Sequence, residues 1–125
     1  MVKFLTDEWV SALDREASAQ VSPITDTFVV EYRVQLDSNE SFVYQIRFDT
    51  DAVTVRTGAP SPPTVVLSTD RRTAHGVATN TLSAQAAFMA GQLRLDGDTM
   101  AMVRNHDAFA TLDGIFAAVR ARTEY

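Results

Sequence analysis

The 125-residue chain has no cysteine, which excludes a disulfide framework and every thiolate metal site. Lysine is nearly missing as well: Lys3 stands beside ten arginines, scattered except for Arg71-Arg72. Acids outnumber bases 16 to 11, for a net charge of −5. The basic face that nucleic-acid binding needs is therefore not expected, and membrane contact is expected to be transient at most. No stretch approaches the roughly 18 consecutive apolar residues that suggest a membrane span. The opening MVKFLTDEWV meets acids at once and does not read as a signal peptide; the ending RARTEY is not a peroxisomal tripeptide. A cytoplasmic protein is expected. Histidines number two, His75 and His106, and no G-x-S-x-G elbow accompanies them, so a hydrolase triad is not expected.

The hydrophobic share of 46% is ordinary for a globular protein. At this length residues 1–125 are expected to form one domain, burying about two thirds of the unfolded surface. Residues 6–20 predict a helix with Thr6 as its cap, Asp7 and Glu8 at its positive end, and Trp9, Val10, Leu13 and Ala17 as its apolar stripe. TFVVEYRVQL (27–36) alternates, with Phe28, Val30, Tyr32, Val34 and Leu36 on one side and Glu31, Arg33 and Gln35 pointing out. SFVYQIRF (41–48) repeats the pattern with Phe42, Tyr44, Ile46 and Phe48, after the turn Asp37-Ser38-Asn39-Glu40. AVTVRT (52–57) completes a meander with one wet and one buried face.

Past the stiff loop Gly58-Ala59-Pro60-Ser61-Pro62-Pro63, TVVLST (64–69) predicts a fourth strand. Thr69 or Asp70 then caps a short helix to about Val77. Ser83 caps a second, AQAAFMA, which Gly91 ends. QLRLD is a fifth strand, with Leu93 and Leu95 on one face. A helical region follows over 99–122, broken near Asn105-His106-Asp107, with Phe109, Leu112, Phe116 and Val119 along its longer part. The order predicts an α+β fold: a five-stranded, mostly antiparallel sheet covered on one face by helices.

The run Phe88-Met89-Ala90-Gly91, the strand Leu93-Arg94-Leu95, Gly97-Asp98 and the apolar helix behind them resemble the type-two sterol carrier protein family. Thr69-Asp70-Arg71-Arg72-Thr73 is similar to that family's strand-to-helix junction, and the element order extends the likeness over almost the whole chain. The resemblance implies a small lipid-binding domain. Its apolar tunnel, between sheet and helices, would take sterols, fatty acyl chains or phospholipids without covalent chemistry. No catalytic motif comes with it.

The candidate ligand wall comprises Tyr32, Tyr44 and Phe48 on the sheet, with Phe88, Met89, Leu93, Met100, Met102, Val103, Phe109, Leu112 and Phe116 on the elements that follow. Methionine suits such a wall because it adapts to irregular shapes, and it fills ordinary cores for the same reason. Arg71-Arg72 could meet a lipid carboxylate or phosphate, or form an exposed helical pair. Asp49/Asp51 and Asp96/Asp98 have divalent-cation spacing but lack further ligands and coincide with turns. No metal and no cofactor is expected. Two other classes remain open. A small enzyme of the ketosteroid-isomerase kind would need an acid or tyrosine facing the pocket. An interaction domain would have a filled core. The expected partner is a hydrophobic small molecule or lipid, with a homodimer left open.

Overall fold

In the computed structural model of the protein, which describes residues 1–19, 27–37, 39–50, 52–105 and 114–125, side-chain caps set the starts of three helices. The Thr6 hydroxyl accepts the Trp9 amide at 3.3 Å and opens α1 (Asp7–Ser18). The Asp70 carboxylate accepts the Thr73 amide at 2.7 Å and opens α2 (Arg71–Ala78). Ser83 accepts the Ala86 amide at 3.0 Å and opens α3 (Ala84–Met89). Each cap contributes about 1 kcal/mol by satisfying an amide that the helix leaves free. Two helices follow: α4 (Met100–Arg104) and α5 over residues 114–120.

The strands are β1 (Val2–Lys3), β2 (Phe28–Gln35), β3 (Ser41–Phe48), β4 (Val53–Thr57), β5 (Val65–Asp70), β6 (Leu93–Gly97) and β7 (Thr123–Glu124). Five of them form one sheet in the order β4-β3-β2-β5-β6. Neighbours run antiparallel except β2 and β5, which are parallel from Val30↔Val65 to Gln35↔Asp70. The sheet is thus mixed and mostly antiparallel. On α1, Trp9, Leu13 and Ala17 are buried against Phe28, Val30, Ile46, Phe48, Val53 and Val55. Gly97 ends β6 at φ +94°, and a Cβ there would lie 2.6 Å from the Thr64 carbonyl oxygen. Only glycine permits that approach.

The predicted wet face of the sheet needs correction. Glu31 does point away from the helices, yet it is 1% exposed, and Gln45 and Val29 beside it are buried too. The reason is topological. β4 lies at one edge and β5 beyond β2, so the proline-rich loop between them must cross behind β3 and β2. It is fastened there by Gln45, which donates to the Ser61 carbonyl at 2.8 Å and accepts the Ser61 amide at 3.1 Å. Thr64 adds a hydroxyl bond from the Val29 amide at 3.0 Å. The final helix also ends earlier than predicted. Beyond it Thr123–Glu124 forms β7, parallel to β1, in a two-stranded sheet that joins the two ends of the chain.

Candidate functional site

Antiparallel pairing of β2 with β3 sets Tyr32 opposite Tyr44. Directly opposed residues hold their Cβ atoms about 5 Å apart, close enough for rings to stack. Their rings stack with centroids 4.7 Å apart and planes nearly parallel, at 2°. Trp9 of α1 meets Tyr44 edge-on at 5.2 Å. Phe116 of α5 reaches both Trp9, at 6.1 Å, and Tyr32, at 6.2 Å. Phe42 extends the layer beyond Tyr44 at 6.0 Å, and Phe4 extends it beyond Trp9 at 5.0 Å. A continuous aromatic layer therefore lies between the inner face of the sheet and the helices α1 and α5.

Within this layer the phenol of Tyr44 is 4% exposed, and its hydroxyl has no hydrogen-bond partner among the described residues. Burial pushes its pKa well above the ordinary tyrosine value, and the neighbouring Tyr32 phenol adds to the shift. A buried hydroxyl without a partner costs about 1–3 kcal/mol. Tyr44 can therefore bond a hydroxyl or carboxylate that enters the layer, and the rings around it offer apolar area to the rest of such a molecule.

Of the residues predicted to line a ligand, Tyr32, Tyr44 and Phe116 meet in this layer. Phe48 is buried beside Phe28 at 6.0 Å, farther along the same sheet face. Leu93 packs against the core from β6. Phe88, Met89, Met100 and Val103 do not face the interior; they are 46%, 78%, 60% and 65% exposed. Helices α3 and α4 span only six and five residues, and each turns an alanine inward, Ala87 and Ala101. So short a helix buries one stripe, and the large side chains beside the alanines project outward. Met102 belongs to α4, but its side chain lies outside the described set, as do Phe109, Leu112 and His106. The sequence assigned Trp9 to the core and left Phe4 unremarked; the alternation that gave Phe42 an inward face was the available signal.

The other candidate groups are engaged elsewhere. Glu31 accepts from Gln45 Nε2 at 2.8 Å and from Arg33 Nε, on the sheet face opposite the rings. Asp49 accepts from Thr27 and Arg47. Asp98 accepts from the Ala101 amide and Arg104, and the Arg104 guanidinium lowers its pKa. His75 stands edge-on to Tyr125 at 5.3 Å. Arg71 lines a surface pocket of about 320 Å³ with Lys3, Phe4, Leu5, Thr6, Glu124 and Tyr125. Among the described residues no cluster of three or more His, Cys, Asp or Glu could hold a metal, and no helix is long and apolar enough to cross a membrane.

A family model described as the SCP-2 sterol transfer family matches residues 10–110. The fold is shared with a crystal structure of sterol carrier protein 2, at TM-score 0.69 and 17% identity over 94% of this chain and 97% of that one. A conserved hypothetical protein from Thermus thermophilus, described as possibly a sterol carrier protein, matches at TM-score 0.69 and 15% identity, covering 100% of this chain and 93% of its own. Palmitated SCP2L2 from Aedes aegypti matches at TM-score 0.55 and 20% identity, over 81% and 92% of the two chains. No curated protein matches the chain in sequence.

Proposed function

Because the chain belongs to the SCP-2 sterol transfer family, we propose that it binds and carries an amphiphilic lipid: a fatty acyl chain, a sterol-like molecule or a phospholipid. The cargo lies in an apolar tunnel between the helices and the inner face of the sheet, and no covalent step is involved. Tyr32, Tyr44, Phe48, Leu93 and Phe116 form part of its wall; Met102, Phe109 and Leu112 are assigned to it from the sequence pattern alone. Phe88, Met89, Met100 and Val103 are left out of that wall because they stand at the surface. The observation that carries the proposal is the buried Tyr44 hydroxyl, without a hydrogen-bond partner among the described residues, inside an aromatic layer. Rings supply area for a hydrocarbon body, and the hydroxyl supplies one bond for its polar end. The Aedes aegypti relative described as palmitated supports an acyl cargo.

An isomerase-like enzyme is the weaker alternative. Tyr32 and Tyr44 face the proposed site and could polarise a substrate oxygen, but no carboxylate among the described residues stands beside them to move a proton: Glu31 sits on the other face of the sheet, held by Gln45 and Arg33. The proposed setting is the cytoplasm, with transient membrane contact and no cofactor. Native mass spectrometry of the purified protein, followed by lipid extraction and titration with a fluorescent fatty acid, tests the proposal. A co-purifying lipid or saturable uptake is expected. Uptake should depend little on salt, since burial of apolar area drives it. If no lipid is carried and none is taken up, the chain is an interaction domain with a filled core.

A further inference from the structure

The two edges of the main sheet are treated differently. At the β4 edge the Val55 amide donates to the Asp14 carboxylate at 2.8 Å, and Arg56 pairs with the same carboxylate at 2.8 Å. A charged side chain thus occupies the backbone group that another strand would need. Among the described residues the β6 edge has no such guard. β6 is last in the strand order, and among the described residues nothing pairs with its outer side. The large exposed apolar residues of α3 and α4 flank it in sequence: Phe88 and Met89 just before it, Met100 and Val103 just after.

We propose that β6 is the interface of a twofold homodimer, pairing antiparallel with β6 of a second copy about an axis through Leu95. The sequence of the strand chooses both partner and register. Centred on Leu95, the pairing sets Arg94 opposite Asp96 of the partner subunit, and Asp96 opposite Arg94 of the partner subunit. Leu95 then meets its own copy. Within one chain the same two side chains are exposed and only loosely paired, at 3.9 Å. Across the axis they form a closed set of four alternating charges. Centring on Arg94 or on Asp96 instead would oppose like charges, and a shift of half a step would turn the leucines to the wrong face. A twofold axis requires this kind of self-complementary patch. Antiparallel pairing also brings the Leu93 end of one strand to the Gly97 end of the other. The apolar residues of α3 are then directed toward those of α4 in the partner subunit, covering side chains that otherwise stand in water.

The test is sedimentation of the full chain over a wide concentration range, with charge variants. The wild type should dimerise reversibly. Arg94→Asp opposes two acids at each pair and should weaken the dimer roughly tenfold or more, and Asp96→Arg should do the same with two bases. The doubly substituted chain, carrying both changes, restores opposite charges and should dimerise again. Circular dichroism confirms folding, and either single variant suffices if the other fails to fold. A wild type that stays monomeric overturns the proposal, including one whose apolar residues bind phosphatidylcholine vesicles instead. So does a dimer indifferent to both single changes, or a double variant that stays apart. Neither substitution touches the aromatic layer, so lipid uptake is expected unchanged, and failure here leaves the proposed function standing.

Discussion

Tyr44→Phe removes one oxygen from the aromatic layer and leaves the ring in place. The hydroxyl is buried without a partner among the described residues. Among the described residues nothing offsets its desolvation, a cost of about 1–3 kcal/mol. Removing it should stabilise the lipid-free chain by about 1 kcal/mol, which raises Tm by roughly 3–5 °C at this chain length. Binding should move the opposite way. A cargo whose hydroxyl or carboxylate bonds Tyr44 loses that bond, worth about 1–2 kcal/mol, or roughly 5–30-fold in affinity. A hydrocarbon analogue without the oxygen should bind both proteins alike. The assays are thermal unfolding of the lipid-free protein and titration with cholesterol, palmitate and cholestane. A destabilised variant would show that the hydroxyl already has a partner. Equal losses for cholesterol and cholestane would show a packing change, and either result refutes the assigned role.

The same phenol shapes the alkaline limb of stability. Its folded pKa is raised, so the unfolded chain releases the proton first; the contribution is complete below the ordinary value of 10.0 and is lost as pH climbs above it. Tyr44→Phe should flatten that limb in urea titrations taken at successive pH values. Gly97→Ala should cost about 2 kcal/mol or more, since the new methyl meets the Thr64 carbonyl oxygen at 2.6 Å, whereas Gly91→Ala, also at positive φ but with open space around it, should cost about 1 kcal/mol. Equal effects in chemical denaturation would remove the steric explanation. Glu31→Ala leaves the Gln45 amide short of an acceptor under the crossing loop and should cost about 2 kcal/mol, with faster hydrogen exchange at the Ser61 amide. An unchanged midpoint would mean the carboxylate is dispensable.

Local chemistry made most of the fold legible. Thr6, Asp70 and Ser83 are short polar residues directly ahead of apolar periodicity, and each accepts the amide that its position implied. The alternation of 27–36 and 41–48 carried the inner face, and with it the Tyr32–Tyr44 pair. What stayed hidden depends on residues distant in sequence. Nothing near Val65 says that β5 will lie parallel to β2, and that crossing is what sends the loop over Glu31. Two-residue strands such as β1 and β7 have no period to read. In α3 and α4 composition misled: methionine and phenylalanine suggested an inward face, but the buried positions belong to Ala87 and Ala101.

The chain holds one tryptophan, and it lies in the aromatic layer, 5.2 Å from Tyr44. Trp9 therefore reports on the proposed cargo site without any label. Titration with a brominated fatty acid, whose bromine quenches indole fluorescence only at contact, tests the carrier proposal most directly. The account predicts saturable quenching of Trp9, reversed by unbrominated palmitate. Emission that stays constant through the titration, while the protein remains folded, would contradict it.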